Sequence, residues 1–268
     1  MFFYLFSFII FILGVSIGSF LNVVIDRSLK GEKIIGRSYC PSCKNTLQVK
    51  DLIPLLSFFL SKGKCRYCKN QISWQYPLVE LSTAILFLFV FRGINPEEFN
   101  NFFIYFLNLF LLLIITSFLI ITFMTDLKKM IIFDEIIYFL IITTLFLNII
   151  SFYEKKELSI FFLPILTAIF STLFFLFLYF ITKKRGMGLG DVKIAGFMGL
   201  FLSFPKIFPA FFLAFSSGAI ISLILIALKK KKLKSEIPFA CFLLPATLIS
   251  FFYGDEIINI YTIGGTLL

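Results

Sequence analysis

The sequence predicts an all-α membrane protein, a polytopic bundle of about eight transmembrane helices carrying one small knuckled loop. Three observations lead there. The 268 residues are 59% hydrophobic with a mean hydropathy of +0.99, well outside the range of ordinary soluble domains. Apolar runs near the length that crosses a bilayer recur along the whole chain. The one long polar stretch, 26–76, holds four of the five cysteines in two Cys-x-x-Cys pairs.

Taken in order, the candidate spans are 2–25, 77–92, 102–124, 131–152, 158–182, 193–204, 207–228 and 237–254. The second, sixth and eighth are short, and Pro205 leaves open whether the sixth merges with the seventh. The first is longer than a signal-peptide core and runs into charged residues without a small-residue cleavage site, so it reads as a retained helix. Basic residues orient the bundle. The segments 26–76, 127–130, 183–193 and 229–234 hold 21 of the 25 Lys and Arg, including Lys183, Lys184 and Arg185. Only Arg92, Lys155, Lys156 and Lys206 fall elsewhere. Eight alternating spans put all 21 in the cytoplasm and both termini outside. The net charge of +10 is thus a topology signal towards a lipid bilayer. Basic residues scattered over short juxtamembrane loops give no footprint for nucleic acid.

The cysteines read Cys40-Pro-Ser-Cys43 and Cys65-Arg-Tyr-Cys68. Paired knuckles at this separation supply four thiolates to one tetrahedral Zn2+. A loop of about 50 residues has little apolar core of its own, so a structural metal staples it. Cytoplasmic placement disfavours disulfides. Cys241 lies in an apolar span and reads as a core residue.

The absence of histidine excludes Ser-His-Asp and Cys-His catalysis and any His-ligated metal. Carboxylates remain. Asp26, Glu80, Asp126, Asp134, Glu135, Asp191 and Glu236 all fall at predicted cytoplasmic boundaries. Asp26 beside Arg27 suggests an ion pair, Glu80 a buried polar contact, and Asp134 with Glu135 a helix start, where negative charge is favoured. Asp191 follows Gly188-Leu-Gly190 and precedes Lys193. Glycines there would let a substrate backbone approach, and an acid at a membrane boundary needs a partner or a task. Lys193 would pair with Asp191, meet a substrate charge or anchor at the membrane. The alternating topology places Asp126 on the same side as Asp191, so the two can share a proton and activate water. N-terminal capping is the plain alternative for Asp191. Spacing alone does not choose a pair among the seven.

These motifs together resemble the bacterial type IV prepilin peptidases. The resemblance begins at Gly18-Ser-Phe-Leu-Asn-Val-Val-Ile25 with Arg27. It continues through both knuckles, Ile53-Pro-Leu-Leu-Ser57, Gly63-Lys-Cys-Arg-Tyr-Cys68 and Tyr76-Pro-Leu-Val-Glu-Leu81. Asp126 and the stretch Gly188 to Lys193 complete it. It implies a bifunctional enzyme of the bacterial inner membrane acting on prepilins or pseudopilins of type IV pili and type II secretion. The enzyme would cut the leader on the cytoplasmic side and methylate the new N-terminal amine with S-adenosylmethionine. Asp126 and Asp191 take the place of the family's catalytic aspartates. Residues 1–92 would form the methyltransferase-associated part and 93–268 the peptidase. The chain departs from the family at Ile132-Phe133-Asp134, usually Ile-Pro-Asp, which is expected to alter the turn into the fourth span. It departs again at Ile237-Pro-Phe-Ala-Cys-Phe242, usually Ile-Pro-Phe-Gly-Pro-Phe, a loop expected to stand apart from the aspartates. Competing readings are a peptidase without methyl transfer, another intramembrane aspartic protease, and a zinc-bearing scaffold or transporter.

Overall fold

The computed structural model describes residues 2–99, 101–182, 187–231 and 237–264. Lys183, Lys184, Arg185, Lys232, Lys234 and Glu236 lie outside the described residues. Nine α-helices are present among those described: α1 (Phe2–Lys30), α2 (Leu56–Leu60), α3 (Gln75–Gly93), α4 (Phe102–Lys129), α5 (Asp134–Lys155), α6 (Leu158–Ile181), α7 (Leu189–Leu202), α8 (Ile207–Ala227) and α9 (Ala240–Gly264). There is no strand among the described residues, only two isolated β-bridges. All but α2 and α7 are long and apolar enough to cross a membrane, seven in all. The protein is therefore multi-pass and all-helical. Inside lipid, a helix satisfies its own backbone, and no water is needed to do so.

The sixth candidate span is the one that falls short. At 14 residues α7 is about 21 Å long, against a hydrocarbon core of about 30 Å. It is also separate from α8, because Ser203 turns the chain at φ 60°. Other helices run beyond their apolar stretches into charged residues, as α1 does to Lys30 and α4 to Lys129.

The chain forms two compact units, 1–121 and 122–268, so α4 contributes its length to the first and its last turns to the second. In the first unit α1 packs on α3 at backbone contact. A Cβ on Gly14 would fall 2.5 Å from Ala84 Cα, and one on Gly18 would fall 2.7 Å from Glu80 Cα. This small-xxx-small spacing lets two spans approach where lipid offers no hydrophobic drive to associate. Where α1 ends, Arg27 is buried, and its guanidinium donates to the carbonyls of Lys33, Ile34, Gly36 and Arg37. It organises the chain that leaves the helix; Asp26 instead accepts the Tyr76 hydroxyl at 2.6 Å.

In the second unit α7 is the most enclosed helix, with Ile194, Ala195, Phe197 and Met198 almost fully covered. Asn148 Nδ2 of α5 donates to the Leu200 carbonyl at 3.2 Å. Beyond the end of α7, Lys206 pairs with Asp255 of α9 at 2.6 Å. The start of α7 thus lies at one end of this unit and Lys206 at the other. Buried hydroxyls such as Thr144 and Thr247 bond back to the carbonyl four residues earlier, whereas Ser171 Oγ of α6 is buried without a hydrogen-bond partner.

Candidate active site and metal centre

The second unit assembles its carboxylates at helix N-termini. Asp191 is the third residue of α7 and is 6% exposed. Its Oδ2 accepts the Gly188 N–H at 3.0 Å, closing half of a capping box. Asp126 lies in the last turn of α4 and is 4% exposed. Its Oδ2 accepts the Cys241 N–H at 3.2 Å, and the Ala240 N–H also reaches this carboxylate. Both donors belong to the first turn of α9, so Asp126 receives the N–H groups and positive dipole end of a helix other than its own. Capping and a chemical role are thus compatible at both aspartates, because a capped carboxylate keeps acceptor sites free.

The two groups share one environment. Cys241 lies within electrostatic range of both carboxylates. Burial pushes Asp191 up to about 6; the Gly188 N–H opposes this and the charge of Asp126 adds to it. Asp191 lies on the short α7, which is not among the seven helices of crossing length. A carboxyl that retains its proton above the ordinary carboxylate range, within electrostatic reach of a second buried carboxyl, is an arrangement in which one proton can be shared.

The flanking residues take parts that spacing did not reveal. Lys193 pairs with Asp134 at 2.7 Å, not with Asp191, and lies over the Tyr138 ring. Gly188 has φ −84° and ψ 160°, an extended conformation open to any residue. Gly190 is the demanding position, since a Cβ there would fall 2.7 Å from Ile132 Cδ1. The space above that glycine is filled by the chain's own α4–α5 turn. Phe133 at the start of α5 has φ −80°, close to the value proline imposes, so this backbone would accept a proline there unchanged. The α9 segment is the residue set that sequence reasoning missed. The departure at Ala240-Cys241 falls on the donors to Asp126, so this loop does bear on the aspartates. Pro238, two residues before a helix start, was the signal available.

The first unit builds its centre from a repeated local pattern. Both knuckles read Cys-x-x-Cys-Lys-Asn. In each, the first cysteine's N–H donates to the Asn carbonyl, from Cys40 to Asn45 at 2.9 Å and from Cys65 to Asn70 at 2.8 Å. The lysine N–H returns to that cysteine's carbonyl, and Lys44 and Lys69 take φ 60° and 61°. The bridges Tyr39–Thr46 and Lys64–Gln71 close the two loops in the same way. The four Sγ atoms of Cys40, Cys43, Cys65 and Cys68 lie within 4.8 Å of one another, with Cys40 and Cys68 at 3.9 Å. Four thiolates about 2.3 Å from one ion stand about 3.8 Å apart, so this set fits tetrahedral Zn2+. Glu80 adds a further constraint to the loop. It accepts the Leu55 N–H at 2.7 Å and holds Leu55 at φ 60°, ψ −54°, a strained γ-turn closed by Leu56 N–H to the Pro54 carbonyl.

Comparison with known proteins matches two segments of the chain to family models. Residues 12–93 match the Bacterial Peptidase A24 N-terminal domain, and residues 113–223 match the Type IV leader peptidase family. The chain is 33% identical over 256 residues to the Prepilin leader peptidase/N-methyltransferase of Bacillus subtilis (strain 168), covering 94% of this chain and 96% of that protein. It is 30% identical over 279 residues to the protein of the same name from Aeromonas salmonicida (strain A449), covering 94% and 92%. A Type 4 prepilin-like proteins leader peptide-processing enzyme of Escherichia coli O78:H11 (strain H10407 / ETEC) is 47% identical over 94 residues, 28% of this chain and 35% of that one. No solved structure matches the chain.

Proposed function

The chain belongs to the prepilin leader peptidase/N-methyltransferase family, and from that premise we propose that it is a membrane aspartic endopeptidase that is also an N-methyltransferase. Its substrates are type IV prepilin-like proteins. It removes their leader and then methylates the new N-terminal residue with S-adenosylmethionine. The single observation that carries the peptidase reading is the pair of buried carboxylates, Asp126 and Asp191, each held at a helix N-terminus and one acting electrostatically on the other.

One carboxyl of the pair keeps the shared proton and hydrogen-bonds the scissile carbonyl; the other, ionised, takes a proton from the attacking water. The N–H groups of Gly188 and Cys241 hold the two side chains in place as that charge moves. The pair titrates as a unit, so acid and base are roles of the pair. Gly188 lines the approach to Asp191, while Gly190 admits Ile132 of the α4–α5 turn and Lys193 ties α7 to α5 through Asp134.

Cys40, Cys43, Cys65 and Cys68 hold a zinc ion whose four positions sulfur closes, which makes the site structural. Residues 1–92 serve methyl transfer and 93–268 serve cleavage. The skew of basic residues supports an inner-membrane protein whose knuckles and aspartates face the cytoplasm.

The test is one assay. Membranes containing the chain are given a prepilin-like peptide and methyl-labelled S-adenosylmethionine. The expected result is a shortened peptide with label on its new N-terminal amine. A shortened, unlabelled peptide would remove the methyl half, and an intact peptide would remove the peptidase.

A further inference from the structure

The short helix α2 is inside out for a helix in water. Phe58 turns inward, 7% exposed, and packs on Trp74 with ring centroids 5.0 Å apart. Leu56, Phe59 and Leu60 are neighbours on the remaining face, and they are 60%, 61% and 75% exposed. A surface helix in water buries such a face and shows polar residues instead. Trp74, the residue before α3, and Leu78, one turn on, are exposed to a similar degree. Leu81 and Ile85 carry the exposed apolar row further along that span.

The level of α2 follows from one hydrogen bond. Leu55 N–H donates to Glu80 at 2.7 Å, and Glu80 lies on α3 at the close approach to Gly18 of α1. Gly18 is about 12 Å inside the end of the apolar run of α1, which gives way at Asp26. The reach of one side chain keeps Leu55 beside the first turns of α3, alongside the span rather than beyond its end. The backbone suits that depth. The N–H of Leu55 goes to Glu80, that of Leu56 to Pro54, Ser57 to Ile53, Phe59 to Leu55 and Ser61 to Ser57, and Pro54 has none to satisfy. Backbone at membrane depth has to find its partners within the protein. Lys62 and Lys64 follow in the chain. Both are exposed, and they share the lining of one groove with Phe58, Phe59 and Trp74.

We propose that α2 is seated in the bilayer, with Leu56, Phe59, Leu60 and Trp74 at the boundary of headgroups and acyl chains and with Lys62 and Lys64 on the phosphates of anionic phospholipid. The exposed face of α2 continues the apolar row of α3, so the medium that covers a crossing helix covers both. Aromatic and aliphatic groups below, with lysines above, is the order in which a bilayer surface presents its own layers. The lysines answer anionic headgroups in charge. The knuckled loop is thereby pinned to the membrane surface. Neither cleavage nor methyl transfer enters this assignment.

The experiment reads tryptophan fluorescence of the full, zinc-loaded chain in phospholipid vesicles. Trp74 is the one tryptophan of the chain, so the unaltered protein reports without any substitution. Leu60→Trp in a Trp74→Phe chain moves the probe to α2, with zinc content reporting an intact loop. Each probe is expected to lose about half of its emission to lipid brominated near the headgroup end of the acyl chain, and almost none to aqueous iodide. A minority of brominated phosphatidylglycerol should quench the α2 probe about twofold more than the same fraction of brominated phosphatidylcholine, and Lys62→Gln with Lys64→Gln should remove that excess. Iodide quenching without lipid quenching, at Trp74 or in the Leu60→Trp chain, overturns the proposal. So does water-like emission from α2 that shifts only when a prepilin-like peptide is added, which would assign the face to a protein. Loss of the phosphatidylglycerol excess to inorganic phosphate at matched ionic strength would overturn the lipid at the lysines in favour of a soluble anion.

Discussion

In the first unit four thiols converge from two short stretches that share one pattern, Cys-x-x-Cys-Lys-Asn at 40–45 and 65–70. In the second unit two carboxylates converge from positions 126 and 191, and the N–H groups that hold one of them come from position 241. The thiol centre is built by local turns that each close on themselves. The carboxylate centre is built by packing three helices whose ends happen to be polar. A centre of the first kind should fail by losing its metal and its local fold. One of the second kind should fail in chemistry while the helices stay in place, because each aspartate also answers a helix N-terminus that an amide can still serve.

The largest effect should come from the aspartates. Asp126→Asn or Asp191→Asn should lower prepilin cleavage by about 10⁴-fold, and the double change should cost little more than either single one, because the two act as one device. Methyl transfer to a pre-cut peptide and zinc content should both persist. Asp134→Asn breaks only the exposed pair with Lys193, so cleavage should fall by no more than a few-fold. Cleavage assays on purified membranes separate these cases. Full turnover in either single variant at the pair would break the comparison at its stronger end.

Cys65→Ser is the matching cut in the other unit. Metal analysis should fall from about one zinc per chain to near none, with loss of methyl transfer and a lowered melting temperature for the loop. Retained zinc would show that the four thiols do not act together.

Cleavage should also report the unusual state of Asp191. Its carboxyl is raised to about 6, so the proton the pair needs is held well above the ordinary carboxylate value and is lost as pH rises. The descending limb of the pH–rate profile should therefore lie at or above about 6. A limb near 4 would show that the two carboxylates titrate independently.

The smallest effect is at Cys241. Proline is tolerated in the first turn of a helix but has no N–H, so Cys241→Pro removes one of the donors to Asp126 without breaking α9. A threefold to tenfold loss of cleavage is expected, in line with about 1 kcal/mol for one hydrogen bond. Cys241→Ala keeps the donor and should stay within about twofold of the unaltered chain. Equal losses in the two variants would shift the contribution from the backbone to the thiol.

Much of this protein was legible from residue order. Hydropathy marks the spans because lipid demands long apolar helices whatever their partners, and the structure keeps seven of the eight candidates at crossing length. The knuckles were legible because a Cys-x-x-Cys turn is short enough for spacing to dictate geometry. The two aspartates stood out as acids at apolar boundaries, and the burial of both is consistent with a task there.

What only the tertiary structure decided depends on contacts between distant segments. Spacing cannot say that Lys193 turns to Asp134, that Ile132 fills the space over Gly190, or that α9 directs its first N–H groups at Asp126. Nor does it show that Arg27 gathers four carbonyls where α1 ends. Hydropathy and local spacing act through the solvent and through neighbours in the chain, so they can be read one segment at a time. Hydrogen bonds between helices depend on which faces meet, and that is set only when the whole unit has packed.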